Sequence, residues 1–324
     1  MSKSKVFVTR VIPDKGLEII KDFCDVNVWS DELPPSREEL LQHVHGIDGL
    51  LCLLTDKIDV DVMDAAGPQL KVISNFAVGF DNIDIKAATA RRIPVGNTPD
   101  VLTDATADFT LALILSVARR LREGERYVRG GQWKTWHPML LLGIEMKGAT
   151  LGLVGFGRIG KAVAGRALGF DMRVIYYDPT DTNPDNQATS VDFETLLAES
   201  DIISLHTPLT AKTHHLIDSE AFAKMKPTAI VINTARGPIV DPDALYEALK
   251  SNRIFGAGLD VTEPEPLPPD SPLLTLDNIV IMPHMGSASI TARDNMSWMA
   301  AMNLIAGLKG EHLPNCVNLQ VYSA

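Results

Sequence analysis

The sequence predicts an α/β protein built from two doubly wound parallel sheets, and three observations lead there. Short apolar runs alternate with helix-like stretches from Val6 to Asn97, the same alternation restarts at Thr150, and a long helix-like segment stands between the two series. Strands that alternate with helical patterns imply βαβ units and hence parallel pairing. At 324 residues the chain has the length of about two domains.

In the first series the runs KVFVTR, VNVW, GLLCLL and KVISNF read as strands, and 13–23, 36–45, 59–66 and 83–91 as helices. The segment 103–128 (TDATADFTLALILSVARRLREGERYV) is apolar for nearly three turns in its middle and predicts one long buried helix linking the two series. Residues 129–147 hold Trp133, Trp136, His137 and a Leu-rich run between glycines, the composition of an arm or loop. From Thr150 the runs TLGLV, RVIYY, DIISLH, AIVIN, GAGLD and NIVIM predict a six-stranded nucleotide-binding sheet. The chain is helix-like again after Ser287, to about Gly307, and ends in a short polar tail.

Composition narrows the function classes. With 45% hydrophobic and 22% charged residues the chain is neither disordered nor fibrous. The 30 Lys and Arg against 41 Asp and Glu leave a net charge of −11. No positive field gathers phosphate backbones or anionic lipid, so neither nucleic acid nor membrane is expected as a partner. Cys24, Cys52 and Cys316 lie far apart without CxxC spacing and read as buried thiols of a reducing compartment. The first residues, MSKSKVFVTR, lack the apolar stretch of a signal peptide, and no run approaches the roughly 20 apolar residues of a membrane span. The expectation is a soluble, cytoplasmic protein.

The strongest motif is G-F-G-R-I-G, with Gly155, Gly157 and Gly160 directly after the strand LGLV and at the start of the helix RIGKAVAGRAL. In that context the first glycine makes the tight turn, the second lets backbone approach a pyrophosphate and the third packs helix on strand. The N–H groups that open the helix, at Arg158 and Ile159, then face the phosphates. The next strand ends in Asp178, placed to accept from ribose hydroxyls and to repel a 2′-phosphate. No Arg or Lys lies between Asp178 and Glu199, so NAD(H) is favoured, with NADP(H) tolerated.

Three further residues stand at strand ends or in loops of the second half: Arg236 in NTARG, Glu265 in DVTEPEP and His284 in MPHMGS. Open parallel sheets place active sites at such carboxyl ends. A histidine with a carboxylate partner suits general acid catalysis, because the carboxylate stabilises imidazolium. Arginine offers a rigid fork for a substrate carboxylate. The separations along the chain do not by themselves bring the three together. Other histidines are candidates for metal ligands. His43 and His45 flank Val44, and His214 adjoins His215, but no nearby Cys or acidic residue completes a ligand spacing, so no metal site is expected.

Through LGLVGFGRIGKAVA, the TARG block, DVTEPEPL and PHMGSAS in that order, the sequence resembles the D-isomer-specific 2-hydroxyacid dehydrogenase family over almost its whole length. KVFVTRVIP, GLLCLLTD, LKVIS, TPDVLTD and GLDVTEPEPLP make it most similar to the glyoxylate/hydroxypyruvate reductase branch. The resemblance implies a Rossmann dinucleotide-binding domain at 101–289 inserted in a flavodoxin-like substrate domain formed by 1–100 and 290–324. It implies reduction of glyoxylate or hydroxypyruvate to glycolate or D-glycerate, with His284 donating the proton, Glu265 tuning His284, and Arg236 binding the carboxylate and carbonyl oxygen.

By the same matching, Val78 and Gly79 present backbone N–H groups to the substrate carboxylate and Leu54 borders the substrate. Thr106, His206, Thr207, Pro208, Thr234, Ala235, Asp260 and Gly286 join the glycine loop, Arg236 and His284 around the cofactor, with Asp260 accepting from the carboxamide. Asp108 stands where many members have a glutamate and is given no catalytic role. A homodimer is implied through an arm at about 129–147, anchored by Trp133 and Trp136, and whether one of these or Met139 reaches the partner's active site stays open. Other members of the family (D-lactate, D-3-phosphoglycerate or phosphite dehydrogenases) and a non-enzymatic, NAD-sensing co-repressor-like scaffold stay open as alternatives.

Overall fold

The computed structural model describes residues 3–180 and 188–323. The chain divides into two compact units, Met1–Leu102 with Ala288–Ala324, and Thr103–Ser287. These junctions, 102/103 and 287/288, lie at the start of one helix and just before another, two residues from the 100/101 and 289/290 expected from the sequence.

The first unit holds β1 (Lys5–Val8), α1 (Asp14–Phe23), β2 (Asp25–Val28), α2 (Arg37–His43), β3 (Gly49–Cys52), α3 (Val60–Ala66), β4 (Val72–Asn75), α4 (Ile85–Ala90) and β5 (Val95–Gly96), and the late helix α11 (Ile290–Lys309). Its strands are ordered β2-β1-β3-β4-β5, every pair parallel. β5 is an addition to the four runs the sequence suggested, since a strand of two residues has too little length to show a pattern. Helix starts follow capping chemistry: the Asp59 and Asp84 side chains accept from first-turn N–H groups, and Ser36 with Glu39 forms a reciprocal capping box. α1 crosses α11 closely at Gly16, whose N–H donates to Ser297 Oγ at 3.1 Å. A Cβ at Gly16 would lie 2.1 Å from the Ser297 carbonyl oxygen.

The second unit holds α5 (Thr103–Ala118), α6 (Leu121–Arg129), β6 (Thr150–Val154), α7 (Arg158–Leu168), β7 (Arg173–Tyr177), β8 (Thr189–Ser190), α8 (Phe193–Glu199), β9 (Ile202–Leu205), α9 (Ser219–Lys224), β10 (Ile230–Asn233), α10 (Pro242–Lys250), β11 (Gly256–Leu259) and β12 (Ile279–Ile281). The order β12-β11-β10-β9-β6-β7-β8 is again parallel throughout. Alternate residues of one strand feed opposite faces, as strand geometry requires. Ile202, Ile230 and Ile232 pack with α5 and α7, while Ile203, Leu205 and Val231 pack with α8, α9 and α10. Burial on both faces explains why these strands read as continuous apolar runs.

Three expectations are corrected. The sheet has seven strands among the described residues, because β8 adds a two-residue edge beside β7. The long helix expected over 103–128 is two helices. Arg120 takes a left-handed backbone (φ 53°), and the Ala118 carbonyl accepts from the Ile144 N–H at 2.8 Å. No glycine or proline marks that break. Of the three thiols, none in a disulfide, Cys24 and Cys52 are buried but Cys316 is only partly so. Among the described residues no helix is long and apolar enough to cross a membrane.

Candidate active site

Every parallel strand of the second unit delivers its carboxyl end to the same edge of the sheet. Gly155 follows β6, Asp178 follows β7, His206 follows β9, Thr234 to Arg236 follow β10, Asp260 follows β11 and His284 lies just beyond β12. The neighbours β6 and β9 mark the reversal in strand order, where the crevice of such sheets opens.

The glycine loop is shaped for close approach. Gly155 has φ 94°, and a Cβ there would lie 2.6 Å from the His206 carbonyl oxygen, so only glycine makes this turn beside β9. A Cβ on Gly160 would lie 2.5 Å from the Gly155 oxygen, which is the helix-on-loop contact expected of the third glycine. A Cβ on Gly157 would meet nothing within 4 Å, leaving open space over the N-terminus of α7. Asp178 Oδ2 accepts from the Phe156 N–H at 2.8 Å, and its Oδ1 from the Thr180 N–H and hydroxyl at 2.9 and 2.7 Å. Partial burial works to raise the Asp178 pKa, but these hydrogen bonds and the nearby Lys161 hold it below the usual carboxylate value. The charged carboxylate, the bare glycine and the open helix start fit a dinucleotide.

On the far side of the reversal, His206 Nε2 lies 2.9 Å from Ser204 Oγ. Burial pushes its pKa down to about 4, so the ring is neutral at physiological pH. Thr207 and Pro208 follow it into a more open loop. The Thr234 hydroxyl lies 3.1 Å from that of Thr110 on α5. Buried Asn233, which the sequence reading passed over, fixes the loop after β10. Its amide donates to the Arg236 carbonyl at 2.8 Å and its Oδ1 accepts from the Ala235 N–H at 3.0 Å. Arg236 donates from its guanidinium to the Ala235 carbonyl at 2.8 Å. Gly237 packs on the backbone of Thr262, so the loops carrying Arg236 and Glu265 abut.

His284 and Glu265, nineteen residues apart in sequence, meet: His284 Nδ1 lies 2.6 Å from Glu265 Oε1. This leaves Nε2 as the ring atom for other partners. His284 has a left-handed backbone (φ 52°), sparsely populated for a residue with a side chain. Asp260 holds it there. The Asp260 carbonyl accepts from the His284 N–H at 2.9 Å, and its two carboxylate oxygens accept from the Met285 and Gly286 N–H groups, each at 2.7 Å. The structure thus shows Asp260 clamping the His284 loop, a task the sequence reading did not anticipate. Burial raises its pKa above the usual value against those two N–H bonds. Buried Thr106 lies beside Gly286, its Cγ2 3.5 Å from where a Cβ would stand. Asp108 pairs with Arg166 at 2.5 Å.

In the first unit, the Asn97 amide donates to the Val78 carbonyl and the Asn75 amide to the Gly79 carbonyl, both at 2.8 Å. The Asn82 amide donates to the carbonyls of Leu53 and Asp56, each at 3.0 Å, which fixes the turn carrying Leu54. Neither asparagine network is visible as a motif. One premise from the sequence is also overturned: His214 and His215 do have an acidic partner, Glu263, brought from the loop after β11.

A doubly wound sheet with a glycine loop, an aspartate at the end of the next strand and a histidine–glutamate pair at its carboxyl edge defines an NAD-dependent oxidoreductase. Residues 111–286 match the family description "D-isomer specific 2-hydroxyacid dehydrogenase, NAD binding domain". The chain belongs to the D-isomer-specific 2-hydroxyacid dehydrogenase family. It is 55% identical to the glyoxylate reductase of Thermofilum pendens, over 99% of this chain and 96% of that one. A crystal structure from Thermus thermophilus superposes with a TM-score of 0.92 at 51% identity, covering 97% of this chain and 99% of the other. The NADPH-dependent glyoxylate/hydroxypyruvate reductase of Sinorhizobium meliloti, solved with NADP and malonate, gives 0.86 at 32% identity over 98% and 97%.

Proposed function

We propose that this chain reduces glyoxylate, and hydroxypyruvate, to glycolate and D-glycerate, with NADH preferred and NADPH accepted. The observation that carries the reading is the 2.6 Å contact between His284 Nδ1 and Glu265 Oε1, which holds the ring by Nδ1 and leaves Nε2 for the substrate. When bound, the reduced nicotinamide supplies the hydride. His284 would give the proton from Nε2 to the carbonyl oxygen and end as neutral imidazole, with Glu265 holding the ring through Nδ1 throughout. Arg236 receives the substrate carboxylate through its fork, supplying local positive charge in a chain of net charge −11. The Met285 and Gly286 N–H groups already occupy both Asp260 oxygens, yet each oxygen keeps a second lone pair with which to accept from the carboxamide.

The first unit is read as the substrate domain, with Val78 and Gly79 as N–H donors to the carboxylate and Leu54 as a wall. The second is read as the cofactor domain. Thr106, Gly155, Gly157, Arg158, Ile159, Gly160, Asp178, His206, Thr207, Pro208, Thr234, Ala235 and Gly286 line the dinucleotide. Lys161, near Asp178, supports tolerance of a 2′-phosphate. The arm at 129–147 exposes Trp133, Trp136 and Met139 at 61%, 78% and 68%, which supports a homodimer that covers them. The three free thiols support a cytoplasmic location.

The test is loss of NADH absorbance with purified protein and glyoxylate, hydroxypyruvate, pyruvate or no substrate, repeated with NADPH. Rapid oxidation with either of the first two, slower with NADPH, is the expected result. Tight NADH binding without turnover of any 2-oxo acid overturns the reading and moves the weight to phosphite oxidation or a sensing scaffold.

A further inference from the structure

Away from the His284–Glu265 pair, the described residues contain one group of three His, Cys or carboxylate side chains whose ligand atoms all lie within 4.8 Å of one another: His214, His215 and Glu263. We propose that this group binds one divalent transition cation of the zinc class, with three protein ligands and an open position for water.

The backbone makes the arrangement. Successive side chains on an extended chain diverge, but His215 has φ 49°, and the two rings stack with centroids 4.0 Å apart. His215 Nε2 lies 2.7 Å from Glu263 Oε2, and His214 Nε2 lies 3.9 Å from Glu263 Oε1. Both imidazoles therefore aim a nitrogen at one carboxylate. The loop is anchored on both sides, since the His215 N–H donates to the Pro238 carbonyl at 2.8 Å and Ile217 bridges Val240. Glu263 stands in a turn closed by the Thr262 hydroxyl on the Pro264 carbonyl at 2.8 Å.

The donor chemistry suits zinc, which takes imidazole nitrogen and carboxylate oxygen at about 2.0–2.2 Å and often retains a water on a three-ligand site. Tetrahedral donors at that radius stand about 3.3 Å apart. The 2.7 Å contact must therefore widen and the 3.9 Å contact close by roughly half an ångström each, within the reach of partly exposed side chains. A supporting carboxylate is also in place: Asp241 Oδ2 lies 3.9 Å from His215 Nδ1, the ring atom left over when Nε2 binds metal. Carboxylates in that position orient metal-binding histidines. The Asp241 Oδ1 meanwhile caps α10. Glu263 precedes Glu265 by two residues, so a bound cation stiffens the turn that presents Glu265 to His284.

The experiment is calorimetric titration of the metal-stripped full chain with ZnCl2, without cofactor or substrate, together with the visible spectrum of the Co2+-loaded protein. One site per chain is expected, lost in His214→Gln and in Glu263→Gln. Asp241→Asn retains a good helix cap and should weaken binding by about 10- to 100-fold. Should Glu263→Gln fail to fold, the exposed His214→Gln carries the test alone. Unchanged stoichiometry and affinity in His214→Gln overturns the proposal. So does a site that survives in His214→Gln but vanishes in His284→Asn, which assigns the cation to the His284–Glu265 pair.

Discussion

Both sheets begin with a strand, a loop and a helix, and in both the first strand sits where strand order reverses: β1 between β2 and β3, β6 between β7 and β9. The first unit fills that position with its own side chains. The Thr9 hydroxyl donates to buried Asp56, whose carboxylate also accepts from the Leu53 N–H at 2.7 Å, tying the loops after β1 and β3 together. Burial raises the Asp56 pKa even so. The second unit leaves the same position lined by glycine. The helices differ likewise: Gly16 in α1 makes room for α11, whereas Gly160 in α7 makes room for the glycine loop itself, at the Gly155 carbonyl. One βαβ plan thus becomes a dinucleotide site only where the chain withholds side chains after its first strand.

This contrast has consequences that can be broken one at a time. The largest falls on the edge that carries the chemistry: His284→Ala should lower turnover by about 10²- to 10⁴-fold while NADH binding, followed by fluorescence, persists. Near-normal turnover would remove the proton-donor role. Next comes His206, whose ordinary value of 6.5 is depressed to about 4 by burial. As pH falls below 6.5 the unfolded chain takes up this proton before the folded one does. Stability present above that pH is therefore lost toward pH 4, by at most about 3 kcal/mol given the ring's residual exposure. Denaturant melts at pH 7 and 4.5 should show a smaller acid loss in His206→Asn than in the parent.

The two glycines give a crossed pair. Gly157→Val adds a side chain in open space at an ordinary backbone angle (φ −75°), so the melting temperature should stay within about 2 °C while NADH affinity falls about 100-fold. Gly16→Val should do the reverse, costing about 1–3 kcal/mol of stability in denaturant melts with NADH affinity unchanged. If both variants lose NADH equally, the two glycines are not distinguished in the way described. The smallest change is Asp178→Ser, which should raise the ratio of NADPH to NADH in kcat/KM about tenfold by removing a charge that repels a 2′-phosphate.

How much of this was legible in the sequence follows from the range of the interactions. The glycine loop and Asp178 are consecutive parts of one βαβ unit, so residue identity and spacing suffice to find them. The pairing of His284 with Glu265 depends on β11 and β12 lying side by side, which no local pattern encodes, and only the family resemblance supplied it. The break at Arg120 was invisible because its cause, the Ile144 N–H on the Ala118 carbonyl, comes from 26 residues downstream. Strands β5 and β8 are too short for alternation to register. Glu263 was missed beside His214 and His215 for the same long-range reason, as were the clamps made by Asp260 and Asn233.

The first unit is assembled from both ends of the chain. Its strands come from before Thr103, yet the Ser74 hydroxyl donates to the Ala300 carbonyl at 2.8 Å, the Asn303 amide to the Asn97 carbonyl at 2.9 Å, and Gly16 rests against Ser297. The segment Thr103–Ser287 is an uninterrupted unit with all the parts of its sheet, whereas the first unit joins strands from before Thr103 to a helix from after Ser287. A chain ending near Ser287 would thus keep every strand of both sheets yet lack the helix on which Gly16, Ser74 and Asn97 rest.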